Sequence, residues 1–212
     1  MLKVFLLTLG PLQTNCYLAG CANTKSAAVI DPAWDGEQID AAAKEAGWQI
    51  THILLTHTHF DHVGGLRELQ SRTEAPVIAH ADAAPMLRLA AASAARWGFE
   101  LEQPEEPDTF VSDGDQVTVG EIVFDVLETP GHAPGHVSFY APVEKVIFDG
   151  DVLFKGGIGR TDLPGGDGEL LFRSIKEKLL VLPDDTRVLS GHGQPTTIGL
   201  ERRTNPFLNH FE

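Results

Sequence analysis

Apolar and polar positions in the first thirty residues form three β-rich runs, Leu2–Leu9, Asn15–Leu18 and Ala27–Ile30. Gly10-Pro11 and the turn-forming Asn23-Thr24-Lys25 separate them. This pattern predicts a meander of strands. Gly36–Ala46 carries alanines and Ile39 at helical spacing and stops at Gly47; Ile50–Leu55 then reads as a short β-branched strand. Leu66–Gln70 predicts a helix, Val77–Ala79 a strand, and Asp82–Trp97 an alanine-rich helix that tolerates Pro85 only in its first turn. Gln103–Asp108, with its prolines and acidic residues, predicts a solvated loop or lid. Strands follow at Gln116–Val119, Ile122–Leu127, Val137–Tyr140 and Lys145–Phe148, with turns at Asp113-Gly114 and Gly120. Leu170–Leu182 predicts an amphipathic helix and Arg187–Ser190 a final strand. A strand-rich half, a helix-bearing middle and a second strand-rich half suggest an α/β fold with two sheets face to face and helices outside.

A chain of 212 residues, 42% hydrophobic, supplies one sizeable core, so residues 1–212 are expected to form a single domain. The formal net charge of −14 repels nucleic-acid backbones and anionic membrane surfaces, which argues against both as partners. Clustered carboxylates could serve as metal ligands rather than solvated surface. Cys16 and Cys21 form no C-x-x-C pair and no zinc-knuckle spacing, which fits small buried side chains in a reducing compartment. Lys3 and the run ending in Leu18-Ala19-Gly20-Cys21 resemble a lipoprotein signal. However, Gly10-Pro11 and Gln13-Thr14-Asn15 interrupt its apolar core, and strand-turn-strand explains every residue. No other segment approaches the roughly 20 apolar residues of a membrane span, so a soluble, cytoplasmic protein is expected.

The strongest chemical signal is Thr56-His57-Thr58-His59-Phe60-Asp61-His62, where a hydrophobic strand ends and Gly64-Gly65 opens a helix. Three imidazoles and a carboxylate so close together are costly to bury unless a metal ion satisfies them. His57 and His59, on alternate positions of an extended segment, can share one ion, while Asp61 and His62 turn toward a neighbouring position. Further candidates follow predicted strands and are flanked by glycine: Pro130-Gly131-His132, Gly150-Asp151 and Ser190-Gly191-His192-Gly193. Lys155 and Arg160, on the glycine-rich loop after Asp151, are either contacts for an anionic substrate or plain surface charge. His52, His80, His136 and His210 occupy no motif position and are expected to be structural or exposed.

His57, His59, Asp61 and His62 match an H-x-H-x-D-H motif, and with the later ligands the whole chain resembles the metallo-β-lactamase superfamily. That resemblance implies a four-layer αβ/βα sandwich with two metals at one edge of the sheets. It would place His57, His59 and His132 on one ion, Asp61, His62 and His192 on a second, and Asp151 between them. It also raises Asp31, in Ile30-Asp31-Pro32, as a carboxylate that fixes a ligand histidine rather than a simple turn residue.

Three segments are similar to the short glyoxalase II-like hydroxyacylglutathione hydrolases: Leu12-Gln13-Thr14-Asn15-Cys16-Tyr17, Gly159–Gly166, and Arg202-Arg203-Thr204-Asn205-Pro206-Phe207. Full-length glyoxalase II carries a further C-terminal helical region for glutathione, and the present sequence ends 20 residues after His192. The resemblance therefore implies a thioesterase acting on a small-molecule thioester through a hydroxide shared by two divalent ions. Zinc is the first expectation, with iron or manganese as alternatives, and Asp61 would orient that hydroxide or take its proton. The rival reading is a mononuclear iron persulfide dioxygenase using His57, His59 and Asp151 or a similar subset, whose family also has a Gly-Arg-Thr-Asp run. Pro164-Gly165-Gly166 favours the hydrolase. A lactonase is disfavoured by Phe154 where a tyrosine is expected, an exported β-lactamase by Asp151 and the absence of a convincing signal, and a flavodiiron-type oxidoreductase by His59. A noncatalytic metal-binding protein would not need seven ligands.

Overall fold

The computed structural model describes residues 1–208, so His210 lies outside the described residues. The first sheet runs, in spatial order, β1 (Leu2–Leu9), β2 (Thr14–Cys21), β3 (Ser26–Ile30), β4 (Gln49–Leu54), β5 (Val77–His80) and β6 (Thr109–Val111). Its first three strands form the antiparallel meander that the sequence predicts, and β3 to β6 are parallel. The second sheet contains β7 (Gln116–Val119), β8 (Ile122–Glu128), β9 (Val137–Ala141) and β10 (Val146–Gly150). A small hairpin of β11 (Leu153–Phe154) and β12 (Gly157–Ile158) intervenes before β13 (Arg187–Ser190) and β14 (Thr196–Thr197) complete it. This sheet is antiparallel except where β10 pairs with β13.

Three apolar interfaces make this a four-layer sandwich. β2 shows why: every residue in it is buried, because both faces of its sheet are covered. Tyr17, Ala19 and Cys21 point between the two sheets, where Phe124, Phe139 and Phe148 come from the opposite side. Cys16 and Leu18 point the other way, onto Ile39 and Ala43 of α1 (Gly36–Glu45) and onto Leu66 and Leu69. The outer face of the second sheet packs Ile147 and Val188 against Leu171, Ile175, Leu179 and Ile198. Period-2 alternation in the strands and helical periodicity outside them thus produce an αβ/βα stack.

The remaining helices are α2 (Phe60–Val63), α3 (Leu66–Arg72), α4 (Ala84–Leu87), α5 (Ala90–Arg96), α6 (Gly168–Ser174) and α7 (Ile198–Thr204). The single helix predicted over Asp82–Trp97 is broken into a 3₁₀ turn, α4 and α5. The Gln103 side chain causes the second break. Its carboxamide donates to the Leu87 carbonyl at 2.7 Å and accepts the Ala91 N–H at 3.2 Å, replacing the bond those two groups would share in a continuous helix. The predicted Leu170–Leu182 helix starts at Gly168 and passes into a π turn over Ile175–Leu179. Strands β6, β11, β12 and β14 and helices α2 and α7 are additions to the expected layout. No helix among the described residues is long and apolar enough to cross a membrane.

β3 and β4 are parallel, as are β10 and β13, and β8 shares their direction because β9 is antiparallel to both β8 and β10. The segments that leave the C-terminal ends of these strands carry Asp31, the histidine cluster, His132, Asp151 and His192, all at one edge of the sandwich.

Candidate metal centre

At that edge, His57, His59 and His132 form one group, and Asp61, His62 and His192 form a second; within each group the ligand atoms lie within 4.8 Å of one another. Asp151 stands between them. Its Oδ2 is 3.5 Å from His132 Nε2 and 3.7 Å from His192 Nε2, and its Oδ1 is 3.4 Å from His62 Nε2. All seven ligands expected from the sequence are therefore brought together. A further grouping of Asp31 with His57 and His62 also exists, but the Asp31 carboxylate is committed elsewhere.

Hydrogen bonds define the direction in which each imidazole faces. Asp31 Oδ1 accepts the Thr56 N–H at 2.7 Å, and its Oδ2 accepts the Thr56 hydroxyl at 2.6 Å and His62 Nδ1–H at 3.0 Å. Since the Thr56 proton points to Asp31, the Thr56 oxygen accepts from His57 Nδ1–H at 3.0 Å. His132 Nδ1–H donates to the Arg160 carbonyl at 2.8 Å, because a carbonyl can only accept. His57, His62 and His132 thus all turn Nε2 inward. His59 instead presents Nδ1, 2.9 Å from His132 Nε2.

His57 Nε2, His62 Nε2 and Asp151 Oδ1 are buried without a hydrogen-bond partner. Orphaned atoms on one small volume are costly unless a cation meets them. A tetrahedral ion with bonds of about 2.0–2.1 Å separates its ligand atoms by roughly 3.3 Å, a spacing that these 2.9–3.7 Å separations bracket. The donors are all nitrogen and carboxylate oxygen, which suits zinc, iron or manganese. The residues fit a pair of divalent ions.

The electrostatics agree. Burial works against charge on His62, but Asp151, Asp61 and Asp31 outweigh it and lift its imidazole well above the ordinary histidine range. Burial and neighbouring imidazoles hold His57 well below its usual range and His59 at about 4, so both are neutral at pH 7, the form able to ligate a metal. Burial raises the Asp61 carboxyl, yet His62 and His192 outweigh it and keep it at about 2. Asp151 is depressed as well, its burial again outweighed by His62, His132 and His192.

Several supporting residues carried no chemical signal of their own. Thr14 donates to Asp61 Oδ2 at 3.0 Å. Asn15 Nδ2 grips the Ser190 and Gly193 carbonyls at 3.0 Å each, and Tyr17 donates to the Ser190 carbonyl at 2.7 Å, so β2 clamps the turn that carries His192. His136 accepts the Asp151 N–H at 3.3 Å and stacks on His57 at 4.9 Å, a buried structural role. Glycine is required beside two ligands. A Cβ on Gly150, whose φ is +53°, would lie 2.4 Å from Thr56 Oγ1 and 2.6 Å from His136 Nε2, and one on Gly191 would lie 2.3 Å from Asp151 Oδ1.

The structure places the two candidate substrate cations beside the centre, each with an intramolecular partner. Lys155 donates to Gln194 at 2.9 Å, and the Arg160 guanidinium makes a bidentate pair with Asp162 at 2.7 and 2.8 Å. Arg160 meets the ligand shell through its backbone carbonyl. His80 pairs with Glu128 at 3.1 Å, and His52 is half-buried, both away from the cluster.

With this fold and this site, the chain belongs to the metallo-beta-lactamase superfamily, whose family model matches residues 9–192. It is 41% identical to the probable metallo-hydrolase YqgX of Bacillus subtilis over 203 residues, 95% of each chain. It is likewise 41% identical to the hydroxyacylglutathione hydrolase GloC of Haemophilus influenzae over 199 residues, 93% of each. Among solved structures it is similar to the BLEG-1 B3 metallo-beta-lactamase, with a TM-score of 0.92 and 41% identity over 98% of this chain and 100% of that one. It is also similar to TTHA1623 in a di-iron-bound form, with a TM-score of 0.89 and 45% identity over 96% and 100%.

Proposed function

We propose that this protein is a thioesterase that cleaves hydroxyacylglutathione or a related hydroxyacyl thioester, using two divalent transition-metal ions. The observation that carries this reading is the inward convergence of unpartnered His57 Nε2, His62 Nε2 and Asp151 Oδ1 between two ligand groups. His57, His59 and His132 would hold one ion, Asp61, His62 and His192 the other, and Asp151 would serve both. When bound, such ions lower the pKa of water toward about 7 and polarise a carbonyl. Zinc is the first expectation, and the di-iron form of a similar structure supports iron as the alternative.

The chain's own residues have distinct tasks in this account. Asp31 and Thr56 fix the His62 and His57 rings, and Thr14 holds Asp61 with one carboxylate oxygen. Asp61 would orient the attacking water and accept its proton. His59 and His192, the more exposed of the seven, mark the side on which a thioester carbonyl enters. The thiol departs as thiolate with little help, since its pKa is near 8.5. The 41% identity to a hydroxyacylglutathione hydrolase supports the substrate class.

Thiol release from lactoylglutathione, run beside oxygen uptake with glutathione persulfide and turnover of a chromogenic cephalosporin, tests the reading. Thiol release should dominate. Oxygen uptake with a single iron per chain would assign the rival dioxygenase, and dominant cephalosporin turnover would assign the chemistry of the similar B3 structure.

A further inference from the structure

The hairpin of β11 and β12 consists of two residue pairs, Leu153 with Ile158 and Phe154 with Gly157. Two pairs cannot hold a hairpin in shape alone. Its shape comes from Glu201 on α7 and Asn205 just after it, side chains that are fully buried although both are polar. The Glu201 carboxylate accepts the Gly156 N–H at the hairpin tip at 2.8 Å, the Asn205 carboxamide at 2.9 Å, and the Thr196 hydroxyl of β14. The Asn205 carboxamide also donates to the Gly157 carbonyl at 3.0 Å and makes a longer contact with the Phe154 carbonyl at 3.4 Å. Burying a carboxylate and a carboxamide is costly unless their hydrogen bonds are satisfied, and here they are satisfied by each other, by Thr196 and by this hairpin's backbone.

The hairpin flanks the open side of the metal centre. The Phe154 ring stands edge-on to His192 at 6.4 Å, and Lys155 projects from the tip toward Gln194, two residues beyond that histidine. Phe154 offers an apolar face next to the ligand, and Lys155 offers an ammonium beyond it. This order suits a thioester whose carbonyl would face the metal centre and whose carboxylate-bearing thiol extends outward.

We propose that Glu201 and Asn205 are positioning residues that hold the β11–β12 hairpin as the wall on which the anionic thiol half of the substrate rests. Substrate affinity then depends on α7, which supplies none of the candidate metal ligands. The choice of ligand rests on the thioesterase reading; the hairpin brace itself does not.

The test compares the metal-loaded wild type with Asn205→Ala, Glu201→Gln and Arg203→Ala, the last an exposed neighbour facing Asp184 at 3.7 Å. Hydrogen exchange over residues 153–158 is measured with and without glutathione, together with metal content, kcat and KM for lactoylglutathione. Asn205→Ala should speed exchange of the Gly156 amide roughly tenfold and raise KM several-fold, with metal content unchanged and kcat within about twofold. Glu201→Gln keeps the shape and one acceptor oxygen and should recover most of the protection, while Arg203→Ala should match wild type. Glutathione should slow hairpin exchange in the wild type. If Asn205→Ala does not fold, Thr196→Val removes one donor to Glu201 and should loosen the same amides more weakly. Unchanged exchange, or a loosened hairpin with unchanged KM, overturns the proposal. A loosened hairpin and glutathione protection in a protein that cleaves no thioester would overturn the thioesterase reading and leave the brace standing.

Discussion

Replacing Asp31 by asparagine should selectively weaken the metal position formed by Asp61, His62 and His192, although Asp31 faces no substrate. The carboxylate serves three donors: the Thr56 N–H, the Thr56 hydroxyl and His62 Nδ1–H. A carboxamide of the same shape has one oxygen. If that oxygen keeps the Thr56 N–H, its NH₂ confronts His62 Nδ1–H; if it is flipped, its NH₂ confronts the Thr56 N–H. The first arrangement is the less costly, and it drives His62 to the tautomer that carries its proton on Nε2, where the ion must bind. A hydrogen bond to a charged partner is worth about 1.5–3 kcal/mol, or roughly 10- to 150-fold in a binding constant, in line with the 10- to 100-fold typical of such supporting groups. Competition titration of metal-stripped protein against a chelator of known affinity should show two steps in the wild type. In Asp31→Asn the weaker step should shift by at least about tenfold, with the other moving less. Two unshifted steps in a folded variant would refute the hydrogen-bond argument.

Asp151→Ala should lower the occupancy of both positions, because its two oxygens face both ligand groups, and metal analysis after gel filtration would show it. Gly150→Ala should destabilise the protein by about 2 kcal/mol or more, since the new methyl meets Thr56 and His136 at a positive φ; thermal unfolding without metal measures this separately from ligation. Metal affinity should fall on acidification. The carboxylates that raise the His62 pKa stabilise the proton an ion must displace, so below that raised value each pH unit should cost about tenfold per proton displaced, measurable by chelator competition between pH 6 and 8.

The candidate ligands were legible because four of the seven follow one strand end within a short motif and the other three stand in glycine-flanked turns after strands. Their supports were not legible, because they depend on which distant segments meet. Asn15 and Tyr17 belong to a segment that marked family resemblance, yet only the packing of β2 beside β13 shows that they clamp the His192 turn. His136 gains its place beneath Asp151 from the β8–β9 connection. Local alanine propensity predicts one helix over Asp82–Trp97 because it cannot anticipate the distant Gln103 carboxamide that enters and divides it. α7 did carry a signal, since Thr197 caps it by accepting the Leu200 N–H at 3.3 Å, a helix start that follows the last predicted strand.

The central claim is tested most directly by titrating metal-stripped protein with zinc while recording thiol release from lactoylglutathione. The account predicts little activity without metal and a rate that rises to a plateau at two equivalents per chain, with no oxygen consumed. Full activity at one equivalent, or no thiol release at any loading of a folded protein, would contradict it.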